Sequence, residues 1–516
     1  MTAGIHHITL IARKVQANVD FYVGFLGLRL VKRTAGFEDV AQLHLIYGDA
    51  TGSPGSLLTF LVWEDGSTGR TGHGQVSEVS LAIDPTSIGY WLTRGLRFGL
   101  NVEGPVAEFG EPTLRLKDPD GFIIKLVGVA GLPTAFPWTD PDVPAEHAIR
   151  RIRGATLLTE EAAQSRSFLE RHFGYHYQAS ATSIERLHSA SGDIVDIRDA
   201  KGFWPGIPGP GTADHIAFRA EDDAALERVH AAVAEASPSA TNVHDRLYFR
   251  SLYVREPGGI LFELATDAPG MLIDEPAETL GTALFVPGTM VTETGDLRLA
   301  LPQFSMPRAE RVIYRELPFV HRFWTPDAPD STTLILLHGS GGSEASLMPL
   351  VHMAAPQATL LGVRGRATDE GVPRWFRRHG NLSFDQADIA SEAEAFVAFI
   401  AGAQQAYGLD PARTVYVGQS NGANFLAALM LLHPGLIERA ILLRPMPVLE
   451  TPPSADLSGS RLLVVAGGQD SFLDGAIALA ELLTAGGAAV AVETIDAGHD
   501  LAAVDAEVIS AWLGAR

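Results

Sequence analysis

The chain has 516 residues, of which 61 are acidic and 39 are basic, and it contains no cysteine. This length predicts about two to four domains, and the missing sulfur excludes disulfides, thiolate zinc sites, iron–sulfur clusters and a cysteine nucleophile. The formal charge of −22 argues against nucleic-acid and anionic-membrane partners, and no apolar run is long enough to span a bilayer.

The first strand-like run begins almost at the initiator methionine and leaves no room for a signal peptide, so we expect a soluble, cytoplasmic protein. A helix-like segment over 15–26 and a turn at Gly27 follow this run. The same order returns about 150 residues later. Aligning His7 with Gly154 puts Gly27 on Gly174, which indicates an internal repeat.

A second pair of similar segments lies further along each copy of the repeat. GQVSEVSLAID near Glu78 matches GTADHIAFRAE near His215, and LKDPDGFIIKLVG near Lys125 matches VREPGGILFELAT near Glu263. The two separations are 47 and 48 residues. These repeats therefore predict that residues 1–270 form four modules, each with one strand, one helix and several further strands.

This fourfold pattern resembles the vicinal oxygen chelate superfamily, which is built from βαβββ modules, and within it the ring-cleaving dioxygenases that act on hydroquinones. The resemblance implies an α+β fold, with modules one and two in 1–140 and modules three and four in 145–270. It also implies a bound metal, O₂ as co-substrate and a small aromatic substrate. The sequence leaves a homo-oligomer open.

In such modules the resemblance places metal ligands on the first and last strands. The corresponding positions are His7, Glu78, Gly154 and His215 on first strands, with Lys125 and Glu263 on last strands. Only modules one and four keep ligand-type residues in the expected pattern, so His7, His215 and Glu263 are the predicted metal trio. Two imidazoles and one carboxylate leave open coordination positions and suit non-haem Fe(II), with Mn(II) as the alternative.

Further catalytic residues are predicted from the stretch DRLYFRSLYVREPGGILFE, which resembles the hydroquinone branch. Tyr253 and Arg246 would face the substrate, and His6 lies beside His7. A hydroquinone has one hydroxyl near the cleaved bond, so His6 or Tyr253 would handle its proton and Arg246 would hold an anionic oxygen. Packing or surface charge is the alternative for each residue. A glyoxalase-like isomerase or lyase and a ligand-sequestering module remain alternative functions.

The second half of the chain has a different character. Residues 271–315 contain proline, glycine and mixed polar runs and are interpreted as a tail and linker. After them, TTLILLHGSGG is typical of a buried parallel strand that enters a glycine-rich loop. Strand-like and helix-like runs then alternate to the end of the chain. This alternation predicts an α/β domain over 316–516, with a mostly parallel sheet covered on both faces.

The GQSNG motif follows an apolar strand and opens a helix, so Ser420 is the predicted nucleophile on a sharp turn. Asp470 ends the next strong strand and His499 follows the last strand, which is the order of an α/β-hydrolase triad. His499 would take the proton of Ser420, and Asp470 would orient the imidazole. Asp474 and Asp496 are the alternative acids.

The oxyanion hole is expected to use backbone N–H groups of Asn421 and Ser340. Arg374, Arg377 and Arg378, in PRWFRRHG, either recognise an acidic substrate or are surface charges. This half resembles small carboxylesterases and phospholipase- or thioesterase-like hydrolases. The whole chain is then predicted to open a hydroquinone- or catechol-like ring and to hydrolyse an ester, lactone or acyl group of a related compound. Nothing in the sequence sets the order of the two reactions.

Overall fold

The structure is a computed structural model, and it describes residues 4–37, 39, 41–131, 138, 140–236, 242–287, 294–309, 317–368, 371–380 and 382–515. The chain divides into two compact units. Unit 1 comprises Met1–Leu297 and Phe304–Ala309, and unit 2 comprises Arg298–Gln303 and Glu310–Arg516. Parts of the predicted linker, 288–293 and 310–315, lie outside the described residues. Within the described ranges, no helix is both long and apolar enough to cross a membrane.

Unit 1 contains four consecutive modules of one strand, one helix and three more strands. Module one contains β1 (Ile5–Ala12), α1 (Val15–Val19), β2 (Arg29–Ala35), β3 (Leu43–Gly48) and β4 (Leu57–Val62). Module two contains β5 (Gln75–Ile83), α2 (Ile88–Arg97), β6 (Glu103–Glu108), β7 (Glu111–Lys117) and β8 (Ile123–Gly128). Module three contains β9 (Arg151–Thr159), α3 (Ala162–His172), β10 (His176–Ala181), β11 (Ile184–His188) and β12 (Ile194–Asp199).

Module four contains β13 (Ala213–Ala220), α4 (Asp223–Ala236), β14 (His244–Asp245), β15 (Phe249–Arg255) and β16 (Leu261–Pro269). A short strand, β17 (Leu284–Phe285), and a helix, α5 (Thr294–Ala300), follow it. In module one the helix continues beyond α1 as a wider π-helical segment, Asp20–Phe25, so helical structure covers nearly all of the predicted 15–26 segment.

The modules of unit 1 pair first with last and second with third. Modules one and four share a sheet of order β14-β15-β16-β13-β1-β4-β3-β2-β17, and modules two and three share one of order β10-β11-β12-β9-β5-β8-β7-β6. In the first sheet β1 and β13 are antiparallel, with Thr9 opposite His215. The neighbouring strand β16 runs parallel to β13. The three predicted metal ligands therefore lie on three adjacent central strands.

Strand β1 is buried along all eight of its residues, although its sequence alternates in polarity. It lies between β13 and β4 in the middle of the sheet. Its polar members, His6, His7 and Thr9, are therefore enclosed as fully as its apolar ones. Buried polar side chains need partners, so this strand concentrates polar contacts at the centre of unit 1.

Unit 2 is a layered α/β structure around one main sheet. Its strands are β18 (His321–Trp324), β19 (Thr333–Leu337), β20 (Thr359–Val363), β23 (Thr414–Gln419), β24 (Arg439–Leu443), β25 (Arg461–Gly467) and β26 (Ala489–Ile495), with β21 (Arg378–Gly380) and β22 (Ser383–Phe384) in a separate hairpin. Its helices are α6 (Met348–Ala354), α7 (Gln386–Tyr407), α8 (Asn421–Leu432), α9 (Leu473–Ala485) and α10 (Ala503–Gly514).

The main sheet has the order β18-β20-β19-β23-β24-β25-β26, and every pair except β18 with β20 is parallel. Two apolar clusters cover its faces. One contains side chains of α7, α8 and α9, and the other contains side chains of α6 and α10. Because the parallel strands end at the same edge, the loops after β19, β23, β25 and β26 come together there.

Candidate metal centre and candidate hydrolase site

Three ligand-type atoms meet at one buried point in unit 1. His7 Nε2 lies 3.3 Å from His215 Nε2 and 3.1 Å from Glu263 Oε2. His215 Nε2 lies 2.8 Å from the same carboxylate oxygen. Two ligand atoms that are each about 2.1 Å from one ion, at right angles, are about 3 Å apart. The structure thus brings the predicted trio together at the spacing of ligands that share one cation.

The chemistry of the three donors fits a divalent cation. Both oxygens of Glu263 are shielded from solvent, and neither makes a hydrogen bond of regular geometry with the described residues. Burial raises the pKa of Glu263, but its contacts with His7 and His215 outweigh burial and hold the pKa below its ordinary value. The carboxylate is therefore ionised where two imidazoles converge, as a site with nitrogen and oxygen ligands requires.

Two β-bulges bring additional polar side chains to this centre. His6 is the extra residue of β1 between the pairs Ile5–Phe218 and His7–Ala217, and Asp214 is the extra residue of β13 beside His215. A bulge breaks the alternation of a strand, so consecutive residues reach the same site. Asp214 is not among the predicted site residues, because strict alternation places it on the face opposite His215.

The bulged residues contact the predicted ligands directly. Asp214 Oδ2 lies 2.7 Å from His215 Nδ1, an arrangement that fixes the orientation of a metal-binding imidazole. His6 Nδ1 lies 2.9 Å from His7 Nδ1. Burial lowers the pKa of His6 to about 3, so this imidazole is neutral at pH 7.

The predicted substrate-facing residues also lie beside the trio. Tyr253 is opposite Glu263 in the register of β15 and β16, and its ring is 5.5 Å from the ring of His215. The guanidinium carbon of Arg246 is 5.6 Å from the Tyr253 ring. Burial raises the pKa of Tyr253, which keeps its phenol protonated at neutral pH. This wall of the site therefore combines a hydrogen-bond donor with a cation.

One further imidazole, that of His44, lies near the trio and is not among the predicted site residues. It lies on β3, and its Nε2 is shielded from solvent and has no hydrogen-bond partner among the described residues. Burial, together with the nearby His7 and His215, lowers the pKa of His44 to about 3. Its signal in the sequence is a lone histidine in the apolar strand LHLIYG, but no repeat copy marks it.

The equivalent positions of modules two and three are occupied differently. Glu78 forms an ion pair with Lys125, with a distance of 3.0 Å between carboxylate and ammonium. At Gly154 an added Cβ would lie 2.3 Å from the carbonyl oxygen of Ile194, so no ligand side chain fits there. Within the described residues, the trio in modules one and four is the one group of three His, Asp or Glu side chains whose ligand atoms converge.

In unit 2 the structure brings together the predicted serine, histidine and aspartate. His499 Nε2 lies 2.9 Å from Ser420 Oγ, and His499 Nδ1 lies 2.8 Å from Asp470 Oδ2. Ser420 stands between β23 and α8 at φ 47° and ψ −114°. A non-glycine residue in this rare conformation is typical of the strained turn that presents a nucleophile.

The two alternative acids have other positions. Asp496 accepts a hydrogen bond from the side chain of Gln469 at 2.7 Å. Asp474 lies in the first turn of α9. Asp470 is the candidate whose carboxylate contacts His499, and a second contact, with the backbone N–H of Phe472 at 2.9 Å, fixes its orientation.

Both predicted oxyanion residues line the cleft above the nucleophile. This cleft has a volume of about 240 Å³, and Ser340, Asn421, Ser420 and His499 all contribute to its wall. Asn421 is the first residue of α8, where backbone N–H groups point out of the helix. Both residues thus belong to the same cleft as the nucleophile, which is compatible with the predicted oxyanion hole.

Comparison with known proteins identifies unit 1. The model of the glyoxalase, bleomycin resistance protein and dioxygenase superfamily matches residues 4–126. A Bacillus subtilis protein named ring-cleaving dioxygenase MhqO is 38% identical over 292 residues, which are 55% of this chain and 91% of that protein. The chain belongs to this family. The family assignment confirms the predicted vicinal oxygen chelate fold of unit 1.

Two further similarities lie within the family. Chlorohydroquinone/hydroquinone 1,2-dioxygenase of Sphingobium indicum is 32% identical over 301 residues, covering 55% of this chain and 91% of that protein. The crystal structure of a protein from Bacillus subtilis that is described as a dioxygenase is 35% identical, with a TM-score of 0.58, covering 60% of this chain and 99% of that chain.

Unit 2 has a separate relative. A Bacillus subtilis protein named hydrolase MhqD is 34% identical over 181 residues, which are 35% of this chain and 90% of that protein. Together with the parallel sheet and the serine turn between β23 and α8, this similarity confirms the predicted α/β-hydrolase fold of the second half.

Proposed function

We propose that the chain is a bifunctional enzyme, with a ring-cleaving dioxygenase in unit 1 and a serine hydrolase in unit 2. The observation that carries the first activity is the convergence of His7, His215 and Glu263 at one buried point. The proposed metal is Fe(II), with Mn(II) as the alternative, and O₂ is the co-substrate. The proposed substrate is a hydroquinone- or catechol-like ring, a choice supported by the named substrates of the Sphingobium indicum relative.

His7, His215 and Glu263 would hold the ferrous ion, which when bound would supply the redox chemistry with O₂. The surrounding residues act on the substrate itself. The Nδ1–H of His7 donates to His6 Nδ1, which holds the His7 imidazole in its orientation, and Tyr253 donates a hydrogen bond to the oxygen of the hydroxyl beside the cleaved bond. Arg246 stabilises the negative charge on the ring, and Asp214 holds the His215 imidazole in its orientation.

An oxygen electrode tests this activity. The full chain, loaded with Fe(II) under anaerobic conditions, is mixed with hydroquinone, chlorohydroquinone and catechol. We expect O₂ uptake in step with loss of the ring, and we expect His215→Ala to abolish it. Equal turnover without O₂ would favour an isomerase or lyase. Unchanged function in His215→Ala would favour a ligand-sequestering module.

In unit 2 we propose serine-hydrolase chemistry on an ester, lactone or acyl group of a related compound. Ser420 Oγ attacks the carbonyl carbon while His499 accepts its proton, and Asp470 stabilises the imidazolium. The backbone N–H groups of Asn421 and Ser340 stabilise the oxyanion. The observation that carries this proposal is the continuous hydrogen-bonded path from Asp470 through His499 to Ser420.

Hydrolysis of p-nitrophenyl esters tests the triad. Ser420→Ala should lower kcat by about 10⁴-fold or more, since the nucleophile is lost. Asp470→Asn should also lose most activity because the imidazole loses its orienting carboxylate. Asp496→Asn is the matched control, for this carboxylate contacts Gln469 and not His499, and it should retain wild-type rates. Undiminished hydrolysis by Ser420→Ala would contradict the assignment.

A further inference from the structure

Two shielded polar groups of module one have no hydrogen-bond partner among the described residues. They are Nε2 of His44, on β3, and Oγ1 of Thr34, on β2. Thr34 is fully buried. A buried polar group without a partner costs free energy, and in native proteins such a group is usually completed by a ligand or an ordered water. These two groups are therefore candidates for contact with a bound molecule.

The register of the sheet puts both groups on the face that carries the metal centre. Thr34 is opposite His44 in the pairing of β2 with β3, and His44 is opposite Leu61 of β4. Leu61 is in turn opposite Ile11 of β1, which lies four residues beyond His7. Opposite side chains share a face, and so do residues an even number of positions apart in a regular strand. His44 and Thr34 therefore point to the same side of the sheet as His7.

The sheet curls, so that its two ends come together around this face. The guanidinium carbon of Arg246, which follows β14 at one end, lies 5.8 Å from the ring of Phe37, which follows β2 near the other end. The face is thus the inside of a cup whose floor is the metal trio. Arg246 and Tyr253 lie on one wall, and His44 and Thr34 lie on the opposite wall, which we call the far wall.

The far wall matches the hydrogen-bonding pattern of a hydroxyl group. The pKa of His44 is lowered to about 3 by burial, with smaller effects from His7, His215 and Arg246, so its imidazole is neutral at pH 7. A neutral imidazole nitrogen either accepts or donates one hydrogen bond, and the Thr34 hydroxyl can do both. A hydroxyl also donates one hydrogen bond and accepts others, so it can satisfy both groups at once.

Apolar side chains separate the far wall from the metal trio. Leu57 is opposite His7, and Ile46 lies two residues from His44 on the same face of β3. Both belong to one buried apolar cluster, against which Phe249 packs. The ring of Phe249 is 5.3 Å from that of His7. A flat aromatic ring on this surface buries apolar area while its polar substituents reach the two ends.

We propose that His44 and Thr34 bind the substrate hydroxyl that is farther from the metal centre, and thereby select rings whose two hydroxyls are on opposite carbons. The inference rests on the proposed dioxygenase function of unit 1. A hydroquinone places one oxygen at the trio and the other at the far wall. The two oxygens of a catechol are on adjacent carbons and cannot reach both places. A ring without the second hydroxyl leaves the two buried groups unpaired, which weakens its binding.

Anaerobic binding tests recognition separately from turnover. Without O₂ the ring is not cleaved, so calorimetric titration of the full chain, loaded with Fe(II), compares the Kd of hydroquinone with that of phenol, which lacks the second hydroxyl. We expect the wild-type chain to prefer hydroquinone. In Thr34→Val and in His44→Leu this preference should fall about 10-fold, because one hydrogen bond to the second hydroxyl is lost.

Two further variants control the titration. In His44→Gln the side-chain amide can replace the imidazole nitrogen, so part of the preference for hydroquinone should return. Thr113→Val removes a buried threonine hydroxyl from β7, in the sheet of modules two and three, and should keep the wild-type preference. Thr34→Val keeps the shape of the side chain and breaks no hydrogen bond within the described residues, so it tests the proposal even if His44→Leu does not fold.

Turnover distinguishes this proposal from the function on which it rests. With O₂ present, the ratio of kcat/KM for hydroquinone to that for catechol should also fall in Thr34→Val. If Thr34→Val and His44→Gln bound hydroquinone and phenol with the wild-type preference, the far-wall proposal would be wrong, and O₂ uptake by the wild-type chain would show that the dioxygenase function stands. If the wild-type chain took up no O₂ with hydroquinone, chlorohydroquinone or catechol, the dioxygenase function itself would fail.

Discussion

Glu263 is fully shielded from solvent, and an ionised carboxylate in such a position requires a positive charge at close range. A divalent cation held by the trio would supply two positive charges and would satisfy both imidazoles at the same time. Asp214 adds a negative charge behind His215, which increases the basicity of that ligand. The centre therefore consists of three ligand-type residues and of Asp214, which contacts one of them, and all four lie on strands of modules one and four.

The amount of bound metal should fall more when one of the three ligands is replaced than when Asp214 is replaced. Glu263→Gln should lose tightly bound metal, because an amide is a far weaker ligand than a carboxylate. Asp214→Asn keeps all three ligands and should weaken binding by about 10- to 100-fold. The matched control is Glu78→Gln, which changes the buried glutamate of module two at the position equivalent to His215. Elemental analysis after dialysis against Fe(II) measures these differences. Loss of metal in Glu78→Gln alone would place the ion in modules two and three.

The trio was predictable because repeat copies can be compared position by position, and only modules one and four keep ligand-type residues. Asp214 and His44 were not predictable in this way. Asp214 reaches the centre through a bulge, which single-sequence alternation does not reveal. His44 has no counterpart in the other modules, and its position beside the centre depends on the pairing of β3 with β4.

Module two has a buried ion pair at the positions where modules one and four carry the predicted metal ligands. Its central strands carry Glu78 and Lys125, which are buried and 3.0 Å apart, with Arg115 3.4 Å from the same carboxylate. Burial raises the pKa of Glu78, but Lys125 and Arg115 outweigh it and hold the pKa below its ordinary value. A lysine thus supplies here the positive charge that we propose a metal ion supplies in modules one and four.

Lys125→Met should destabilise the protein by about 3 kcal/mol at neutral pH, because it leaves Glu78 buried with less compensation. The lowered pKa of Glu78 contributes stability above its unfolded value of about 4.3, and this contribution is lost as pH falls. The difference in stability between wild type and the variant should therefore be fully present at pH 7.5 and smaller at pH 3, below the unfolded pKa of Glu78. Scanning calorimetry of both proteins at the two pH values measures this.

The double variant Glu78→Gln/Lys125→Met controls that measurement. Removing both charges leaves Arg115 and Glu108 paired with each other at 2.8 Å, so part of the lost stability should return. Equal melting temperatures for the Lys125→Met variant and the wild-type protein at pH 7.5 would show that the pair makes no net contribution.

The turn that presents Ser420 depends on a close approach of α8 to β19. A Cβ added at Gly422 would lie 2.2 Å from the carbonyl oxygen of Leu337. Alanine is favoured over glycine within a helix by about 1 kcal/mol. A clash with backbone outweighs this preference, because β19 lies in the middle of the sheet and cannot move away.

Gly422→Ala should therefore lower the melting temperature and the rate of ester hydrolysis, with a loss of about 2 kcal/mol or more. Gly459→Ala is the matched control. An added Cβ at Gly459 has no atom within 4 Å, so this change should stay within about 0.5 kcal/mol of wild type. Thermal unfolding and p-nitrophenyl ester assays on both variants measure the contrast. A Gly422→Ala variant with wild-type stability would contradict the close packing.

The elements of unit 1 were largely predictable from local patterns, since residues 1–270 form the four predicted modules of one strand, one helix and several further strands. The pairing of modules was not. The contacts of β1 with β13 join residues that are more than 200 positions apart, and no local pattern encodes such a pairing. The sequence nevertheless indicated the outcome indirectly, because ligand residues were retained only in the two modules that share a sheet.

At the scale of the whole molecule, one chain combines two candidate sites of unrelated chemistry. The metal centre and the residues around it, His6 to Glu263, lie in unit 1, and the triad, Ser420 to His499, lies in unit 2. Neither site uses sulfur, and the chain has no cysteine. Quinones, the oxidised forms of hydroquinones, alkylate thiols, so this composition gives such compounds no thiol to attack.

Selective inhibition should separate the two activities in the intact chain. A strong Fe(II) chelator such as 2,2′-bipyridine should abolish O₂ uptake and leave ester hydrolysis unchanged, because Ser420, His499 and Asp470 need no metal. Phenylmethylsulfonyl fluoride should abolish ester hydrolysis and leave O₂ uptake unchanged, because it reacts with an activated serine hydroxyl. Glu263→Gln and Ser420→Ala should reproduce the two patterns genetically. Loss of both activities on chelation, with ester hydrolysis restored by added Fe(II), would show that the hydrolase also depends on the metal.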